Sequence, residues 1–409
     1  MQRIGELERR YVLEVLDSQF RTSAGGRMTQ RLEEKFAEVF GCQYAISFVN
    51  GTATMHAALA AAGVGPGDEV IVPPLTMAST SLAVLHAGAL PVFADIDPLT
   101  WTIDPNAIEA LIGPRTKAII PVSIYGLAPD LDRIWQLARA HDLFVLEDDA
   151  QCFLGRYKGR VVGSQGNAAS FSFQSSKHMT SGEGGMITTS DLGLATRIRQ
   201  FNSLGYAAVT AGKSKIARET IQDPDYPRHS SVGWNYRMPE LCSAVALAQV
   251  ERLDEIVAMR CRVAEMYQDA LANCSWLAPQ TVPADTRHSY WTYALKLANG
   301  GRFTWHAFRD KCLELGGDGI YAAWRLTYLE PAFRGAILSE RQRQRFDIGL
   351  CPVAEAIQPL LFQFKTNYAD EELAARKIEA IVRAVESLGG SAECDRHRGQ
   401  VSRAEVTGL

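Results

Sequence analysis

Between residues 44 and 173 the chain alternates short apolar runs with helical stretches, and that rhythm leaves it few ways to bury its hydrophobic residues. Residues 44–49, 69–72, 91–95, 117–122, 143–147 and 169–173 read as strands, and 52–62, 79–87 and 131–140 as helices. Strands separated by helices pair in parallel, with the helices covering the faces of the sheet. The pattern predicts an α/β fold with a mostly parallel sheet. A chain of 409 residues, 47% of them hydrophobic, is long enough for a large domain and a smaller companion. The rhythm changes after about residue 255, which divides the chain into a large domain over 1–255, N-terminal segment included, and a smaller α+β domain over 256–390. Residues 391–409 read as a polar, disordered tail. A helix is expected from Pro239 to about Arg262 as the link between the two, and the polar stretch from Gly205 to Trp234 reads as a long surface loop.

In sheets of this kind ligands collect at the carboxyl ends of the strands, and the residues predicted there are chemically suggestive. The run Glu147-Asp148-Asp149-Ala150-Gln151 closes one apolar strand, and Lys177 follows another, with the glycine-rich Gly182-Glu183-Gly184-Gly185 beyond it. A buried carboxylate needs a compensating cation or hydrogen bonds, and an amine can act as a nucleophile. One amine and one acid at strand ends are the minimal equipment for pyridoxal phosphate: the lysine bonds the aldehyde, and the acid keeps the pyridine nitrogen protonated. Taken singly, Asp148 could equally be a helix cap and Lys177 a solvated surface charge. Gly51 and Thr52, between a strand and a helix, could seat a phosphate or simply cap that helix. Ser172 could donate to phosphate or be a plain polar strand residue, and His178 reads as a strand-end residue.

Charge narrows the partners. A formal net charge of −4 gives no general attraction to nucleic acid or to an anionic membrane, and neither is expected as a partner. The N-terminus has no apolar signal-peptide core and no stretch is long enough to span a bilayer, so a cytoplasmic protein is expected. The 8 cysteines are scattered singly, without the close pairs of zinc or thiol-exchange sites, and no metal site is predicted.

Several motifs in order carry a more specific signal: Asn50-Gly51-Thr52-Ala53, Gly67 to Pro74, Asp95-Ile96-Asp97, Glu147 to Gln151, Ser172-Phe173 with Lys177, Gly182 to Gly185, and Asn235-Tyr236-Arg237-Met238. Together they resemble the DegT/DnrJ/EryC1/StrS family, pyridoxal-phosphate-dependent aminotransferases of fold type I that act in sugar-nucleotide and cyclitol pathways. The resemblance covers roughly residues 10 to 390. It implies that Lys177 bonds the cofactor, Asp148 pairs with the pyridine nitrogen and Gln151 meets the ring hydroxyl. Gly51, Thr52, Ala53 and Ser172 would hold the phosphate, and Asn235 would reach the phosphate of a neighbouring subunit, making a homodimer with shared active sites the catalytic unit. Met77 stands where the family usually stacks an aromatic residue on the cofactor ring, and the 205–234 loop is longer than a typical member's.

The implied reaction is transfer of an amino group from glutamate or glutamine to a keto sugar, in two half-reactions, with a nucleotide-linked keto-deoxysugar favoured. A keto cyclitol is the alternative acceptor, and a catalytically silent, cofactor-binding regulator is an alternative of a different kind. Within the family a histidine in place of the lysine marks dehydration instead of amino transfer, and Lys177 argues against that. His288, Tyr290, Trp291 and Tyr293 read as an aromatic strand, and Tyr321, Trp324 and Arg325 follow a glycine-rich turn; these suit a sugar or nucleotide, or plain core.

Overall fold

The computed structural model describes residues 2–21, 27–213, 216–298, 303–335 and 346–389, so the tail predicted over 391–409 lies outside the described residues. Two helices open the chain, α1 (Glu6–Asp17) and α2 (Met28–Phe40), the latter stopped by Gly41 in the left-handed conformation. Seven strands then build one sheet: β1 (Tyr44–Phe48), β2 (Glu69–Val72), β3 (Leu90–Phe93), β4 (Thr116–Ile119), β5 (Phe144–Asp148), β8 (Ala168–Ser172) and β9 (Gly185–Thr189). β6 (Arg156–Tyr157) and β7 (Arg160–Val161) form a separate small sheet with β11 (Thr286–Arg287), in the order β11-β6-β7. The order in the seven-stranded sheet is β1-β9-β8-β5-β4-β2-β3, and every strand runs parallel except β9, which is antiparallel to both its neighbours.

The strands are buried almost throughout, as a sheet covered on both faces requires. The interleaved helices α3 (Gly51–Ala61), α4 (Ser79–His86), α5 (Pro105–Leu111), α6 (Leu131–His141) and α7 (Leu192–Asn202) alternate with them along the chain. The expected βαβ organisation is therefore the one found.

Among its described residues, the stretch over 205–234 is irregular apart from a short helix, α8 (Arg218–Gln222), and is anchored by buried Val209 and Ala211. The single helix expected from Pro239 to Arg262 is instead two. α9 (Glu240–Glu251) stops at Arg252, whose φ of −109° and ψ of 12° leave the helical region, and α10 (Leu253–Leu271) starts again and runs farther than expected. Arg252 is pinned there by Glu8 of α1, at 2.9 Å, a long-range contact that no local sequence pattern reports. The boundary proposed at residue 255 falls inside α10.

A second sheet, all antiparallel, has the order β10-β12-β14-β13, from β10 (Leu277–Pro279), β12 (Thr292–Leu297), β13 (Tyr321–Ala322) and β14 (Leu361–Lys365). It shares an apolar core with α10, with α11 (Trp305–Glu314) and with the final helix Glu371–Gly389. Between β13 and β14 the chain returns to the first sheet: Tyr328 and Phe346 pack on Phe93, and Asp95 accepts from the N–H groups of Val353 and Ala354 at 2.8 and 2.9 Å. That return lays Tyr321 and Trp324 over the strand ends. Only Tyr293 of the expected aromatic strand lies in β12; His288, Tyr290 and Trp291 form its irregular lead-in, with Tyr290 at φ 50°.

Glu33 and Arg199 fasten α2, β1 and α7 to one another. Both guanidinium nitrogens meet both carboxylate oxygens at 2.8 Å, and Ser47 adds two bonds at 2.9 Å to the same carboxylate. Removing one partner of a buried pair leaves an uncompensated charge, which costs about 3–5 kcal/mol, whereas an exposed pair contributes about 1 kcal/mol or less. Glu33→Ala is therefore expected to lower the thermal midpoint strongly by differential scanning fluorimetry. Glu372→Ala, which breaks an exposed helix pair with Arg376, is expected to leave it nearly unchanged.

Candidate active site

Five loops that leave the carboxyl ends of β1, β2, β4, β5 and β8 converge on one cavity of about 600 Å3. Gly51, Thr52, Met77, Asp148, Gln151, Ser172 and Lys177 all line it. The second sheet and its return segment supply the other wall with Trp291, Tyr321, Trp324 and Lys365.

One end of the cavity is the opening turn of α3. Asn50 caps this helix, its side-chain oxygen accepting from Ala53 N–H at 2.8 Å. The N–H groups of Gly51 and Thr52 have no carbonyl one turn back to donate to, so they are available to an anion. The packing here admits no side chain: a Cβ on Gly51 would lie 2.9 Å from Ser172 Cβ, and one on Gly185 would lie 2.8 Å from the Asn50 carbonyl. Two glycines thus bring the helix start against Ser172 and make an anion seat from backbone. Ala53, expected to join that seat, does not line the cavity, because its N–H is taken up by the cap.

Asp148 is the last residue of β5, and its carboxylate is nearly sealed from water. Thr80 donates to Oδ2 at 2.8 Å and Ala150 N–H to Oδ1 at 3.2 Å. Burial raises its pKa, and Thr80 and the charge of Lys177 oppose that rise. A cation placed beside it would favour the ionised form further. Gln151 is also buried; its Oε1 accepts from Tyr125 N–H at 2.8 Å, which fixes the amide and leaves Nε2 as a donor to the cavity. The alternation of a strand turns Glu147 and Asp149 away from Asp148, and neither lines the cavity. Burial drives both of their pKa values up, Glu147 to about 7. Of the three consecutive acids, one serves the cavity.

Lys177 sits beyond β8, which ends at Ser172, in a turn where its N–H donates to the Gln174 carbonyl at 2.9 Å. Burial lowers its pKa to about 8, with Asp148 acting in the opposite sense and Arg260 in the same one. Its Nζ lies 4.9 Å from the centre of the Trp291 ring. Its neighbour His178 faces away, with Nε2 2.9 Å from the Ser289 carbonyl, and does not line the cavity.

The cavity thus offers an anion seat at one end, a buried carboxylate on its floor, an amide donor beside that acid and a poorly hydrated amine. An aromatic ring with an acidic nitrogen, a phosphate and an aldehyde fits that donor set group by group. Met77 is half exposed at the rim, where its thioether can cover a ring face. Asn235 does not line the cavity; it is exposed in the segment that follows the 205–234 loop. Arg325 is likewise exposed and does not reach the cavity.

Sequence reasoning missed Thr80, Arg3 and Arg260. For Arg260 a signal exists: it occupies the helical stripe Ile256, Arg260, Val263, Tyr267, all buried, where a charged residue is out of place. No metal-binding cluster of His, Cys, Asp or Glu and no helix long and apolar enough to cross a membrane occur among the described residues.

The sequence profile of the DegT/DnrJ/EryC1/StrS aminotransferase family matches residues 2–343. The GDP-perosamine synthase of Caulobacter vibrioides is 42% identical over 298 residues, 72% of this chain and 75% of that protein. A putative L-glutamine:3-amino-2,3-dideoxy-scyllo-inosose aminotransferase of Streptoalloteichus tenebrarius is 39% identical over 293 residues, 70% of this chain and 66% of that protein. The crystal structure of an aminotransferase from Psychrobacter cryohalolentis superposes with a TM-score of 0.83 at 30% identity, covering 94% of this chain and 98% of that one.

Holding an ammonium in this site destabilises the cofactor-free fold. With its folded pKa near 8 against 10.5 unfolded, Lys177 binds fewer protons folded than unfolded between those values. Stability from this group is therefore present above pH 10.5, falls as pH drops towards 8, and the full penalty, about 3 kcal/mol, applies below 8. Lys177→Met is expected to raise the thermal midpoint of the cofactor-free protein at pH 7 by about 2–4 °C, with the gap closing between pH 8 and 10.5 in a calorimetric pH series.

Proposed function

The chain belongs to the DegT/DnrJ/EryC1/StrS aminotransferase family, and on that premise we propose that it moves an amino group from glutamate or glutamine to a keto sugar, with pyridoxal phosphate bonded to Lys177. The observation that carries the assignment is the pairing of a buried amine and a buried carboxylate in one cavity whose far end is the opening turn of a helix.

The cofactor, when bound, supplies an electron sink for the charge left when a proton leaves the donor's α carbon. The residues do the rest. Gly51 and Thr52 N–H groups, with the Thr52 and Ser172 hydroxyls, hold the phosphate and so fix the ring's place. Asp148, oriented by Thr80, holds the proton on the ring nitrogen, and Gln151 Nε2 donates to the ring oxygen. Lys177, buried in the same cavity, would be the group that moves the proton at the donor's α carbon. Its amine is partly neutral at neutral pH, so it can take the proton from one carbon and return it to the other. Its burial shields that proton from exchange with bulk water.

For the acceptor we favour a nucleotide-linked keto-deoxysugar. Trp291, Tyr321 and Trp324 give one wall broad apolar faces, and Lys365 stands on the same wall for a phosphate. The 42% identity to a GDP-perosamine synthase supports the same choice. A keto cyclitol is the second reading, favoured by the inosose aminotransferase relative. We place the protein in the cytoplasm, which suits the seven described cysteines, all unbonded.

Asn235 is exposed, and Trp234 and Val232 beside it present apolar surface. We propose that this segment meets a second copy of the chain, so that Asn235 of the partner subunit completes the phosphate seat and the homodimer is the working unit.

Amino transfer is read as oxo-acid release from glutamate or glutamine in the presence of a nucleotide-linked keto sugar or of scyllo-inosose. Turnover with the nucleotide sugar is expected; turnover with the cyclitol alone reverses the acceptor choice, and no turnover with either points to a silent binding protein. Lys177→Ala is expected to lower the rate by about 10²–10⁴-fold or more. Mixing Lys177→Ala with Asn235→Ala protomers tests the shared site. Random exchange makes half the dimers mixed, each with one intact site, so activity should return to about a quarter of wild type. No recovery would place Asn235 outside the partner's site.

A further inference from the structure

Lys177 is held by a buried cation that lines the same cavity and takes part in no ion pair among the described residues. Arg260 on α10 donates from Nη2 to the Lys177 carbonyl at 2.8 Å, and from Nη1 to the Trp291 carbonyl at 2.7 Å and to Thr366 Oγ1 at 3.2 Å. Arg3 reaches the same Lys177 carbonyl at 2.9 Å. Neither guanidinium takes part in an ion pair among the described residues. Removing a guanidinium from water without a counter-charge costs several kcal/mol, and an aliphatic residue at this point of the stripe would stabilise the fold more. Packing therefore does not account for Arg260.

The contacts form a closed ring around the lysine. Trp291 Nε1 donates to the Ser176 carbonyl at 2.8 Å, and the face of the same indole receives the Lys177 amine. The peptide groups on both sides of Lys177 are thus pinned, one by Trp291 and one by Arg260. Arg260 also fixes the backbone of Trp291 and so sets where that ring lies.

We propose that Arg260 and Trp291 are positioning residues, a clamp that fixes the direction of the Lys177 side chain and keeps positive charge beside its amine. This rests on the assignment of Lys177 as the cofactor lysine. The consequence is electrostatic as well as geometric. Burial is the main cause that weakens the hold of Lys177 on its proton, Asp148 opposes it, and Arg260 reinforces it. His178, next along the chain, is held neutral by burial, Arg3 acts through the shared carbonyl, and Glu183 and Lys365 face the same cavity. With a value near 8, roughly a quarter of the amine is neutral at pH 7.5, and a cation placed beside it raises that share. The indole face works the other way, because it attracts the ammonium form.

The two halves of the clamp therefore predict opposite signs, which a loss of packing alone does not. The test uses the cofactor-free full chain and trace acetylation by acetic anhydride from pH 6 to 10, with the Lys177 peptide quantified by mass spectrometry against exposed lysines. Arg260→Met is expected to slow Lys177 labelling at pH 7.5 by about threefold or more and to move its profile to higher pH. Arg260→Lys, which keeps the charge, is expected to hold the profile near wild type. Trp291→Leu is expected to move it to lower pH. An unchanged profile in folded Arg260→Met overturns the proposal, and so does a shift to higher pH in all three variants, which would mark loosened packing and entry of water. If Arg260→Met does not fold, the Arg260→Lys and Trp291→Leu profiles decide it. Because labelling reads the cofactor-free chain, these results do not depend on amino transfer, and failure of the functional assignment registers separately as absent turnover.

Discussion

The whole arrangement depends on keeping an amine and a carboxylate out of water and within reach of each other. Asp148 and Lys177 stand at the end of β5 and beyond the end of its parallel neighbour β8, where the carboxyl ends of the strands open into one cavity. Each group is held in the state that water would oppose, the acid biased towards its proton and the amine towards losing its own. A cation beside the acid would favour its ionised form, and a bond from the amine to carbon would remove the buried ammonium.

The rest of the fold is arranged around that requirement. The single antiparallel strand, β9, starts at Gly185 against the Asn50 backbone, and that close approach brings the start of α3 beside Ser172. The return of the described residues 323–335 and 346–361 to the first sheet, secured by Phe93 and Asp95, accompanies the placing of Tyr321 and Trp324 over the opening. Arg260 spans the gap between the second sheet's helix and the lysine turn. Two separate cores thereby share one cavity, and each supplies a wall that the other cannot.

Much of this was legible in the sequence because it is written in local terms. Apolar runs bounded by helical stretches gave the parallel sheet, and acids or lysine at their ends gave Asp148 and Lys177. Contacts between distant residues were not legible. The break at Arg252 follows from Glu8, the Ala53 N–H is taken up by the Asn50 side chain, and the duty of Thr80 is visible only once α4 lies against β5. Alternation along β5 separates Asp148 from Glu147 and Asp149, which a run of three acids cannot show by itself. Arg260 is the instructive miss: a charge on a buried stripe reads as noise in one dimension and as a link between two carbonyls in three.

The most direct test of the account is chemical. The protein is loaded with pyridoxal phosphate, reduced with borohydride, digested and mapped by mass spectrometry, with Lys177→Ala treated alongside. The account predicts a pyridoxyl group on Lys177 and none on that peptide in the variant. A label on another lysine, or no covalent label at all in the loaded wild type, would contradict it.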